Sequence, residues 1–472
     1  MLRHTKIVAT LGPSSSSPEI LEQMIRSGVD IVRLNFSHGS AQDHIERAQL
    51  VREAAQRVGR SVGILADLQG PKIRVGRFKE GSVTLVKGET FILDAQCESG
   101  DEMRVGLDYK DLPKDVFAGN VLLLDDGRIV LDVQKVFKDE IFTIVRHGGV
   151  LSNNKGINRQ GGGLSAPALT AKDMEDIRTA ASMKVDYLAV SFPKNAVDMH
   201  MAKQLIHAAG GHAQTIAKIE RVEAIEALEE IIDASDGIMV ARGDLAVEVG
   251  DATVPALQKR MIRLARDKNK LTITATQMME SMILSPVPTR AEVSDVANAV
   301  LDGTDAVMLS AETAAGKYPI ETVDSMARIC LEAGKSDTGM MDKEFLNRVF
   351  KHIDESVAMA SVWTSYHLGV KAIVTFTETG STALLMSRFN AGVPIYAFTP
   401  FEKTQSKMSL YKAVFPFLIK THTQKEEMIQ EAETLLLDAG MVHHGDLVVL
   451  TIGEQTSLPG GTNTMKIIRI GG

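Results

Sequence analysis

Eight short apolar runs recur over the first 310 residues of the chain, and each ends at or just before a polar side chain. The runs are Lys6–Thr10, Ile31–Asn35, Val62–Asp67, Tyr187–Phe192, Thr215–Glu220, Gly237–Arg242, Leu271–Thr276 and Ala306–Ser310. Each has the length of a strand and is almost continuously apolar, which is typical of parallel strands covered on both faces. The pattern therefore predicts eight buried parallel strands.

Segments with the period of a helix separate most of these runs. They include Pro18–Arg26, His44–Arg57, Val254–Asp267 and Thr289–Leu301. This alternation predicts an α/β fold built on a closed (β/α)8 TIM barrel, in which functional groups gather at the carboxyl ends of the strands. The competing fold is an open doubly wound sheet. It is disfavoured because no Gly-x-Gly-x-x-Gly turn follows the first run, and eight units are many for an open sheet.

The polar residues at the ends of the runs are therefore expected to share one rim of the barrel. They are Arg33, Asn35, Ser37, Asp67, Lys218, Glu220, Arg242, Asp244, Thr276, Ser310 and Glu312. Positively charged residues of this rim and of the segments beside it predict a local anion site. They are Arg33, Lys72, Arg74, Lys155, Lys218 and Arg242.

Between the third and fourth runs the helical period disappears, and short alternating strands separated by glycine turns replace it. These are expected at Ser82–Val86, Thr90–Leu93, Asn120–Leu124, Ile129–Val136 and Ile141–Val145. A loop between strand and helix normally has about 2–6 residues, so this length requires an inserted domain. We predict a small all-β domain over residues 71–167, a β-barrel placed as a lid over the mouth of the larger barrel.

The region after the eighth run predicts a third domain. Gly334–Asp342 is short and polar and is expected to be a linker. Helical and strand patterns then alternate, which predicts a small open α/β domain over residues 339–472. The barrel itself is assigned to residues 1–70 and 168–338.

Composition narrows the class of protein. The chain of 472 residues exceeds one barrel, and its net charge of −8 argues against nucleic-acid binding, which needs concentrated Lys and Arg. Cys97 and Cys330 show no metal-ligand spacing, which is typical of a reducing compartment. The first residues lack an apolar signal region, and no apolar stretch is long enough to span a bilayer. We therefore expect a cytoplasmic protein that binds neither nucleic acid nor membrane.

The strongest chemical signal is Lys218-Ile219-Glu220 together with Arg242-Gly243-Asp244. Side chains two positions apart share one face of a strand, so Lys218 should lie beside Glu220, and Arg242 beside Asp244. Two carboxylates suit a hard divalent ion such as Mg²⁺. A metal, a lysine and an arginine around one point suit phosphoryl transfer, whose transition state spreads negative charge over three oxygens. The alternative without a catalytic role is a solvated Lys-x-Glu salt bridge. Lys218 lies within an apolar run, however, where an unpaired charge is costly.

Several longer strings resemble the pyruvate kinase family. They are Lys6–Pro13, Arg33–Gly39, Asp67–Arg74, Met239–Leu245, Thr274–Met278, Pro288–Glu292 and Met308–Thr313. The likeness runs in order from residue 5 to the C-terminus, and several long motifs together are highly specific. It implies transfer of the phosphoryl group from phosphoenolpyruvate to ADP, giving pyruvate and ATP in the last step of glycolysis, by a homotetramer.

The resemblance also implies roles for individual residues. Glu220 and Asp244 would bind Mg²⁺, with Mn²⁺ able to take its place, and Lys218 would stabilise the phosphoryl group in transfer. Arg33 would bind phosphate, and Gly243, Asp244 and Thr276 would contact the carboxylate of phosphoenolpyruvate. Thr276, Ser310 and Glu312 would form the proton path to the enolate. The nucleotide would be bound by Asn35, His38, Arg74 and Lys155, the last from the lid.

Position 72 departs from the commoner family pattern. That pattern has Gly-Pro-Glu-Ile-Arg, where this chain has Gly70-Pro71-Lys72-Ile73-Arg74. In the common form, the resemblance implies a K⁺ ion at oxygens matching Asn35, Ser37, Asp67 and the carbonyl of Leu68. A lysine supplies that positive charge covalently, so we expect no K⁺ requirement. The alternative is that Lys72 extends into solvent and the ion still binds.

The third domain carries a candidate regulatory site. Thr377, Thr379, Gly380, Ser381 and Thr382 lie between a strand and a helix, where hydroxyls and free amides suit a phosphate. An ordinary N-cap serine is the local alternative. The resemblance favours a phosphorylated allosteric activator, whose identity stays open among a sugar bisphosphate, a sugar monophosphate and AMP.

Two other functions were weighed. A lyase or aldolase on a similar barrel would use a metal and a keto acid but would need no phosphate-binding arm such as Lys155. A catalytically inactive metabolite sensor would not need Lys218, Glu220, Asp244 and Thr276 together. His38 lies before an acidic helix start, so a part in capping that helix is favoured over a metal-binding role.

Overall fold

The computed structural model describes residues 2–337, 349–422, 424–453 and 461–472. In chain order, the strands are β1 Lys6–Thr10, β2 Ile31–Asn35, β3 Gly63–Asp67, β4 Ser82–Leu85, β5 Thr90–Asp94, β6 Arg104–Val105, β7 Val121–Leu124, β8 Ile129–Phe137, β9 Glu140–His147, β10 Gly149–Ser152, β11 Ile157–Arg159, β12 Tyr187–Val190, β13 Gln214–Ile219, β14 Gly237–Ala241, β15 Leu271–Ala275, β16 Ala306–Leu309, β17 Ala372–Phe376, β18 Ile395–Thr399, β19 Val414–Leu418, β20 Leu447–Gly453 and β21 Thr462–Arg469. The α-helices are Pro18–Ser27, Ala41–Val58, Leu112–Asp115, Ala171–Ser182, Ala196–Ala208, Val222–Glu226, Leu228–Ala234, Arg242–Val249, Val254–Asp267, Arg290–Leu301, Ala311–Ala314, Pro319–Asp337, Ile353–Leu368, Ser381–Arg388, Glu402–Met408 and Lys425–Asp438.

The predicted barrel is confirmed. Eight parallel strands close in the order β1-β16-β15-β14-β13-β12-β3-β2. Several runs end one or two residues beyond the strand itself, so Glu220, Arg242, Thr276 and Ser310 follow their strands rather than end them. These residues therefore lie just past the carboxyl ends of the strands, and Arg242 already begins a helix.

Local capping chemistry starts several of the outer helices. Ser40 with Asp43, Thr170 with Asp173 and Thr289 with Glu292 each form a reciprocal capping box. Each box satisfies amide groups that the first turn of a helix leaves without partners. The cap at Ser40 corrects one expectation: His38 does not cap this helix and is exposed.

Alternate residues of the barrel strands enter two different cores. On β1, Ile7 and Ala9 pack outward against the helices, and Val8 packs inside the barrel. The inner cluster continues without a break into the C-terminal region, where it includes Met408 and Tyr411. The amino-terminal end of the barrel is therefore covered by the C-terminal domain, and the other end remains available as a mouth.

The segment between β3 and β12 is the predicted β-rich insertion. Its strands form a six-stranded sheet, β11-β7-β8-β9-β5-β6, and a two-stranded sheet, β10-β4. The sequence pattern missed β6, β10, β11 and the helix Leu112–Asp115, because two to four residues are too few to show a period. The limits of the domain, and its closure as a barrel, stay predictions.

The C-terminal region forms a five-stranded sheet in the order β19-β18-β17-β20-β21, with β21 antiparallel to β20. The expectation of a linker at Gly334–Asp342 is wrong in part, because Gly334 to Asp337 continue the helix Pro319–Asp337. A single glycine costs a helix only about 1 kcal/mol, which a long packed helix tolerates. Residues 338–342 lie outside the described residues. The helix Glu402–Met408 and strand β19 were not predicted.

Polar contacts join the C-terminal domain to the closed end of the barrel. Arg388 forms a buried ion pair with Asp305, which comes directly before β16. The Tyr187 hydroxyl, at the start of β12, donates to the Lys407 carbonyl at 2.6 Å. None of the helices in the described part of the chain has the length and apolar composition needed to cross a bilayer.

Candidate active site

Lys218 lies at the centre of the mouth and has three acceptors. Its Nζ is 2.9 Å from Glu220 Oε1, 3.2 Å from Asp67 Oδ1 and 2.8 Å from Ser191 Oγ. Burial alone would lower the pKa of Lys218, but Asp67 and Glu220 outweigh it and hold the pKa above its usual value. The side chain is therefore a fixed ammonium group, and it lies beside Glu220 as the strand-face argument predicts.

Arg33 and Lys218 share Asp67. Arg33 Nε donates to Asp67 Oδ2 at 2.6 Å, and its NH1 donates to Thr10 Oγ1 at 3.0 Å. Asp67 is fully buried, which alone would raise its pKa, but Lys218 and Arg33 hold the pKa below its usual value. Asp67 is thus a permanent anion that fixes two cations at the mouth.

Glu220 and Asp244 are the two carboxylates predicted to bind a metal. Glu220 Oε2 accepts from the Phe192 amide at 3.0 Å. Burial raises the pKa of Glu220, Lys218 lowers it and the Asp244 charge raises it, with a net rise. The mutual repulsion of the two carboxylates, each already beside an ammonium group, is what a divalent cation would relieve. The donor set fits Mg²⁺, which typically takes one or two carboxylates and completes its shell with substrate oxygens and water.

A larger metal site is not found at the mouth. Among the described residues, no group of three or more His, Cys, Asp and Glu side chains is arranged to hold a metal ion. A bound ion at Glu220 and Asp244 would therefore depend on oxygens from the substrates, which is the normal situation for Mg²⁺ in phosphoryl transfer.

Arg242 departs from its expected position. Arg242, Gly243 and Asp244 begin the helix Arg242–Val249 instead of extending β14, so the strand-face argument does not apply to them. Arg242 NH1 pairs with Asp295 at 2.8 Å, and its Nε donates to the Ala275 carbonyl at 3.2 Å. The expected place of Arg242 in the positive cluster is therefore wrong, because carbonyls at the end of β15 and Asp295 already occupy its guanidinium group.

Thr276 lies in an unusual backbone conformation beside the helix start. Its φ is +66°, a left-handed value that is costly for a β-branched residue, by about 1–3 kcal/mol. Its Oγ1 accepts from the Gly243 amide at 2.8 Å and donates to the Ala275 carbonyl at 2.6 Å. The strained turn thus brings the Thr276 hydroxyl to the amino end of the helix that carries Asp244.

A cleft of about 660 Å³ lies between the rim and the inserted domain. Its lining includes Asp244, Thr276, Ser310 and Glu312 from the barrel side and Lys72, Leu123 and Asp126 from the insertion. The three residues predicted for proton transfer, Thr276, Ser310 and Glu312, therefore face one space.

Glu312 is held by backbone amides. Its Oε2 accepts from the Ser310 amide at 2.7 Å and its Oε1 from the Met279 amide at 3.2 Å. Burial raises the pKa of the Glu312 carboxyl above its usual value. Glu312 thus fixes the turn that carries the Ser310 hydroxyl.

Lys72 points toward the mouth. Its Nζ is 2.8 Å from Asp244 Oδ1 and 3.9 Å from Asp126 Oδ1. Burial alone would lower the pKa of Lys72, but Asp244 and Asp126 hold the pKa above its usual value. The side chain is 24% exposed, so it does not extend freely into solvent as the alternative supposed.

Three of the four oxygens of the family K⁺ site, those of Asp67, Leu68 and Asn35, already have donors from the protein. Asp67 binds Arg33 and Lys218, and the Leu68 carbonyl accepts from Ser191 Oγ at 2.7 Å. Asn35 Oδ1 accepts from the Ser37 amide at 3.1 Å.

Two of the residues predicted for the nucleotide belong to contacts of the inserted domain. Arg74 NH1 donates to the Asn154 carbonyl at 3.0 Å. Lys155 pairs with Asp125 at 2.7 Å. In this conformation Arg74 and Lys155 are thus engaged at the insertion, while Asn35 and His38 lie at the rim after β2.

Sequence reasoning missed the turn that follows β12. The Ser191 hydroxyl contacts Lys218, and the Phe192 amide contacts Glu220, so adjacent residues hold both charged groups. Phe192 has a φ of +54°, again left-handed and costly for a large side chain. The available signal was the position of Ser191, which lies in the last two residues of the fourth apolar run.

The residues of the predicted effector loop come together at the start of the helix Ser381–Arg388. Gly380, with φ +84°, takes the N-cap position, so Ser381 is not the N-cap that the local alternative assumed. The Gly380 amide donates to Thr377 Oγ1 at 2.9 Å, and Thr379 Oγ1 is 3.0 Å from Ser381 Oγ. Thr382 is buried, and its hydroxyl is 2.7 Å from that of Thr462.

Comparison with known proteins agrees over nearly the whole chain. Residues 2–323 match the family model for the pyruvate kinase barrel domain, and residues 355–468 match the one for the pyruvate kinase alpha/beta domain. Pyruvate kinase II of Salmonella typhimurium is 53% identical over 475 aligned residues, covering 99% of each chain. The pyruvate kinase of Haemophilus influenzae is 52% identical over 96% of each chain. That of Mycobacterium intracellulare is 42% identical over 100% of this chain and 99% of its own.

Proposed function

The chain belongs to the pyruvate kinase family, and we propose how its own residues carry out the reaction. The enzyme transfers the phosphoryl group of phosphoenolpyruvate to ADP, giving pyruvate and ATP. The observation that carries the residue assignment is the Lys218 ammonium group, 2.9 Å from Glu220 and at the centre of a mouth lined by Arg33 and Asp244. Charge stabilisation at that point is the main requirement of phosphoryl transfer.

The family uses Mg²⁺, and Glu220 and Asp244 are the residues that would hold it here. When bound, the ion neutralises charge on the oxygens of the transferred group, and Mn²⁺ can do the same. Lys72 contacts only Oδ1 of Asp244, at 2.8 Å, and Lys218 also contacts Asp67, so both ammonium groups would stay beside the metal site.

Lys218 and Arg33 bind the phosphoryl group from the barrel side. The Asp67 carboxylate contacts both side chains, so it holds the two cationic groups close to each other. Preorganised charges of this kind act mainly in the transition state, because they need no rearrangement when charge develops.

The carboxylate of phosphoenolpyruvate binds at Gly243, Asp244 and Thr276. The amide groups at the start of the helix Arg242–Val249 attract an anion through the helix dipole. Thr276 and Ser310 are the hydroxyls from which a proton reaches the enolate carbon, converting enolpyruvate into pyruvate. Glu312 holds the Ser310 amide in place for that step.

The inserted domain closes over the nucleotide. Asn35 and His38 contact ADP from the rim, and Arg74 and Lys155 bind its phosphates once Lys155 exchanges Asp125 for the phosphate. Closure also excludes water, which protects the phosphoryl group from hydrolysis.

Lys72 replaces the family K⁺ ion. Its ammonium group lies 2.8 Å from Asp244 at the mouth, which supports a fixed positive charge in place of a bound one. The enzyme should therefore work without K⁺.

Regulation and assembly complete the proposal. A phosphorylated metabolite binds at Thr377, Thr379, Gly380, Ser381 and Thr382 and activates the enzyme, which acts as a homotetramer in the cytoplasm.

A coupled assay of pyruvate formation tests the reaction. Pyruvate should form from phosphoenolpyruvate only when both ADP and Mg²⁺ are present, and chelation of the metal should stop it. Glu220→Gln should raise the Mg²⁺ concentration needed for half-maximal rate, because one of two carboxylate ligands is lost. Pyruvate formation at an equal rate without ADP would instead identify a lyase or hydrolase.

A further inference from the structure

Ser191 lies between the catalytic lysine and the segment that leads into the inserted domain. It follows β12 and is 1% exposed. Its Oγ is 2.8 Å from Lys218 Nζ and 2.7 Å from the Leu68 carbonyl oxygen. Asp67 Oδ1 is more distant, at 3.4 Å.

The direction of these hydrogen bonds is fixed by chemistry. The Leu68 carbonyl and the Asp67 carboxylate only accept, and Leu68 is the nearer at 2.7 Å against 3.4 Å, so the single Ser191 hydroxyl proton goes to Leu68. An ammonium group only donates, so the Ser191 oxygen accepts from Lys218. The serine therefore presents a lone pair to Lys218 in one fixed direction.

The Lys218 ammonium group has three protons and three acceptors around it. Two acceptors are the carboxylates of Glu220 and Asp67. Glu220 is also a proposed metal ligand, and Asp67 also binds Arg33. Ser191 is the neutral acceptor, and its only other short contact is with main chain. Of the three acceptors it is thus the uncharged one, and among the described residues it contacts no cation other than Lys218.

Packing holds the Ser191 side chain in place. Gly70, with φ +65°, comes so close that a Cβ atom there would lie 2.7 Å from the Ser191 Cβ. The same turn supplies the Phe192 amide to Glu220. A small side chain with one hydroxyl is what this position accommodates.

We propose that Ser191 is a positioning residue, which aims the Lys218 ammonium group at the phosphoryl group in transfer. The proposal rests on the assigned role of Lys218. Asp67 and Glu220 supply the charge that keeps Lys218 protonated, and Ser191 supplies the direction.

Ser191→Ala tests the proposal, with Ser235→Ala as the matched control. Ser235 is also fully buried, and its hydroxyl also donates to a main-chain carbonyl, that of Ile231, at 2.7 Å, but it lies at the other end of the barrel before β14. We expect kcat to fall about 10- to 100-fold in Ser191→Ala, the value of a hydrogen bond to a charged group. KM for phosphoenolpyruvate and the dissociation constant of Mn²⁺, followed by titration, should change little, because the binding groups remain. Ser235→Ala should keep its kcat.

Lys218→Met in the same assay separates the two possible failures. If Lys218→Met keeps its turnover, the assigned role of Lys218 is wrong. If Lys218→Met loses turnover but Ser191→Ala keeps it, only the positioning role is wrong. Circular dichroism measures the folded fraction of each variant. If Ser191→Ala and Ser235→Ala both lose kcat only in proportion to the folded fraction that they lose, and by the same amount, the proposal is also overturned.

Ser191→Cys gives a second reading should the alanine variant fail to fold. A thiol is a weak acceptor of similar size, so kcat should lie between those of serine and alanine. A cysteine variant as active as the unchanged enzyme would contradict the need for a strong acceptor.

Discussion

Lys218 and Lys6 are both buried lysines of the barrel strands, yet their pKa values move in opposite directions. Lys218, at the mouth, has two carboxylates within 3.2 Å, and its pKa is raised. Lys6, at the closed end, donates to the Val414 carbonyl at 2.6 Å and lies 4.5 Å from the centre of the Phe415 ring. Burial lowers the pKa of Lys6 to about 8. At the mouth two carboxylates outweigh burial, whereas at the closed end the attraction of Asp30 for Lys6 is opposed by Arg3 and Arg60, and burial prevails.

The ion pairs at the two ends differ in the same way. At the closed end, Arg388 and Asp305 are almost inaccessible, with side chains 2% and 0% exposed. Asp305 also accepts from the Thr272 amide at 2.8 Å, and Arg388 donates to the Lys270 carbonyl at 2.8 Å. At the mouth, the side chains of Arg33 and Lys218 keep 11% and 12% exposure. The pair at the closed end is buried and joins two domains, whereas the pairs at the mouth keep partial exposure and can act on a ligand.

Lys218→Met, compared with Lys6→Met, tests this contrast most strongly. We expect kcat to fall about 100- to 1,000-fold or more in Lys218→Met, with substrate and metal affinities within about tenfold, because the charge acts in the transition state. Lys6→Met should keep its kcat. Steady-state kinetics of both purified variants measure these values. A similar loss of turnover in the two variants would show that the lysines at the mouth and at the closed end do not differ in function.

Arg388→Met should act on stability alone. Removing one partner of a buried pair leaves Asp305 charged and unpaired, which typically costs about 3–5 kcal/mol in the free energy of unfolding. Urea denaturation followed by circular dichroism measures it. Arg388→Met combined with Asp305→Asn should recover part of the loss, and the kcat of the folded fraction should be unchanged. A variant as stable as the starting enzyme would show that this pair does not join the domains.

Lys72→Glu tests whether a mouth lysine replaces an ion. The unchanged enzyme should be nearly fully active in tetramethylammonium buffer with Mg²⁺ and no K⁺. Lys72→Glu should lose about tenfold or more there, since a third carboxylate would then repel Asp244 and the substrates, and K⁺ should restore activity. Lys72→Met is the control for loss of charge alone. Strong stimulation of the unchanged enzyme by K⁺ at constant ionic strength would show that Lys72 does not replace the ion.

The smallest effect on basal turnover is expected from Thr377→Ala, Ser381→Ala and Thr382→Ala combined. Activation by a phosphorylated metabolite, found first by screening, should disappear, while basal kcat stays unchanged because the site lies in another domain. Thr382→Ala alone measures how much of that loss comes from its interior contact with the Thr462 hydroxyl. Undiminished activation in the triple variant would place regulation elsewhere.

Much of the site could be read from strand ends. Lys218 and Glu220 were predicted to be adjacent and are, although Glu220 comes one residue after the end of β13. The same prediction failed at Arg242, because the strand ends at Ala241 and a helix begins at once. Where a strand stops is decided by pairing with its neighbours, which a single sequence does not display.

The sequence by itself determined the eight strands, the insertion, the third domain and the candidate residues, because burial and periodicity are local properties of the chain. The tertiary structure decided which partner each charge has. Ser191 contacts Lys218, Lys72 contacts Asp244 and Arg388 contacts Asp305, across separations of 27, 172 and 83 residues. Such pairings depend on the closure of the barrel and the packing of domains, so they follow from geometry that no local pattern encodes.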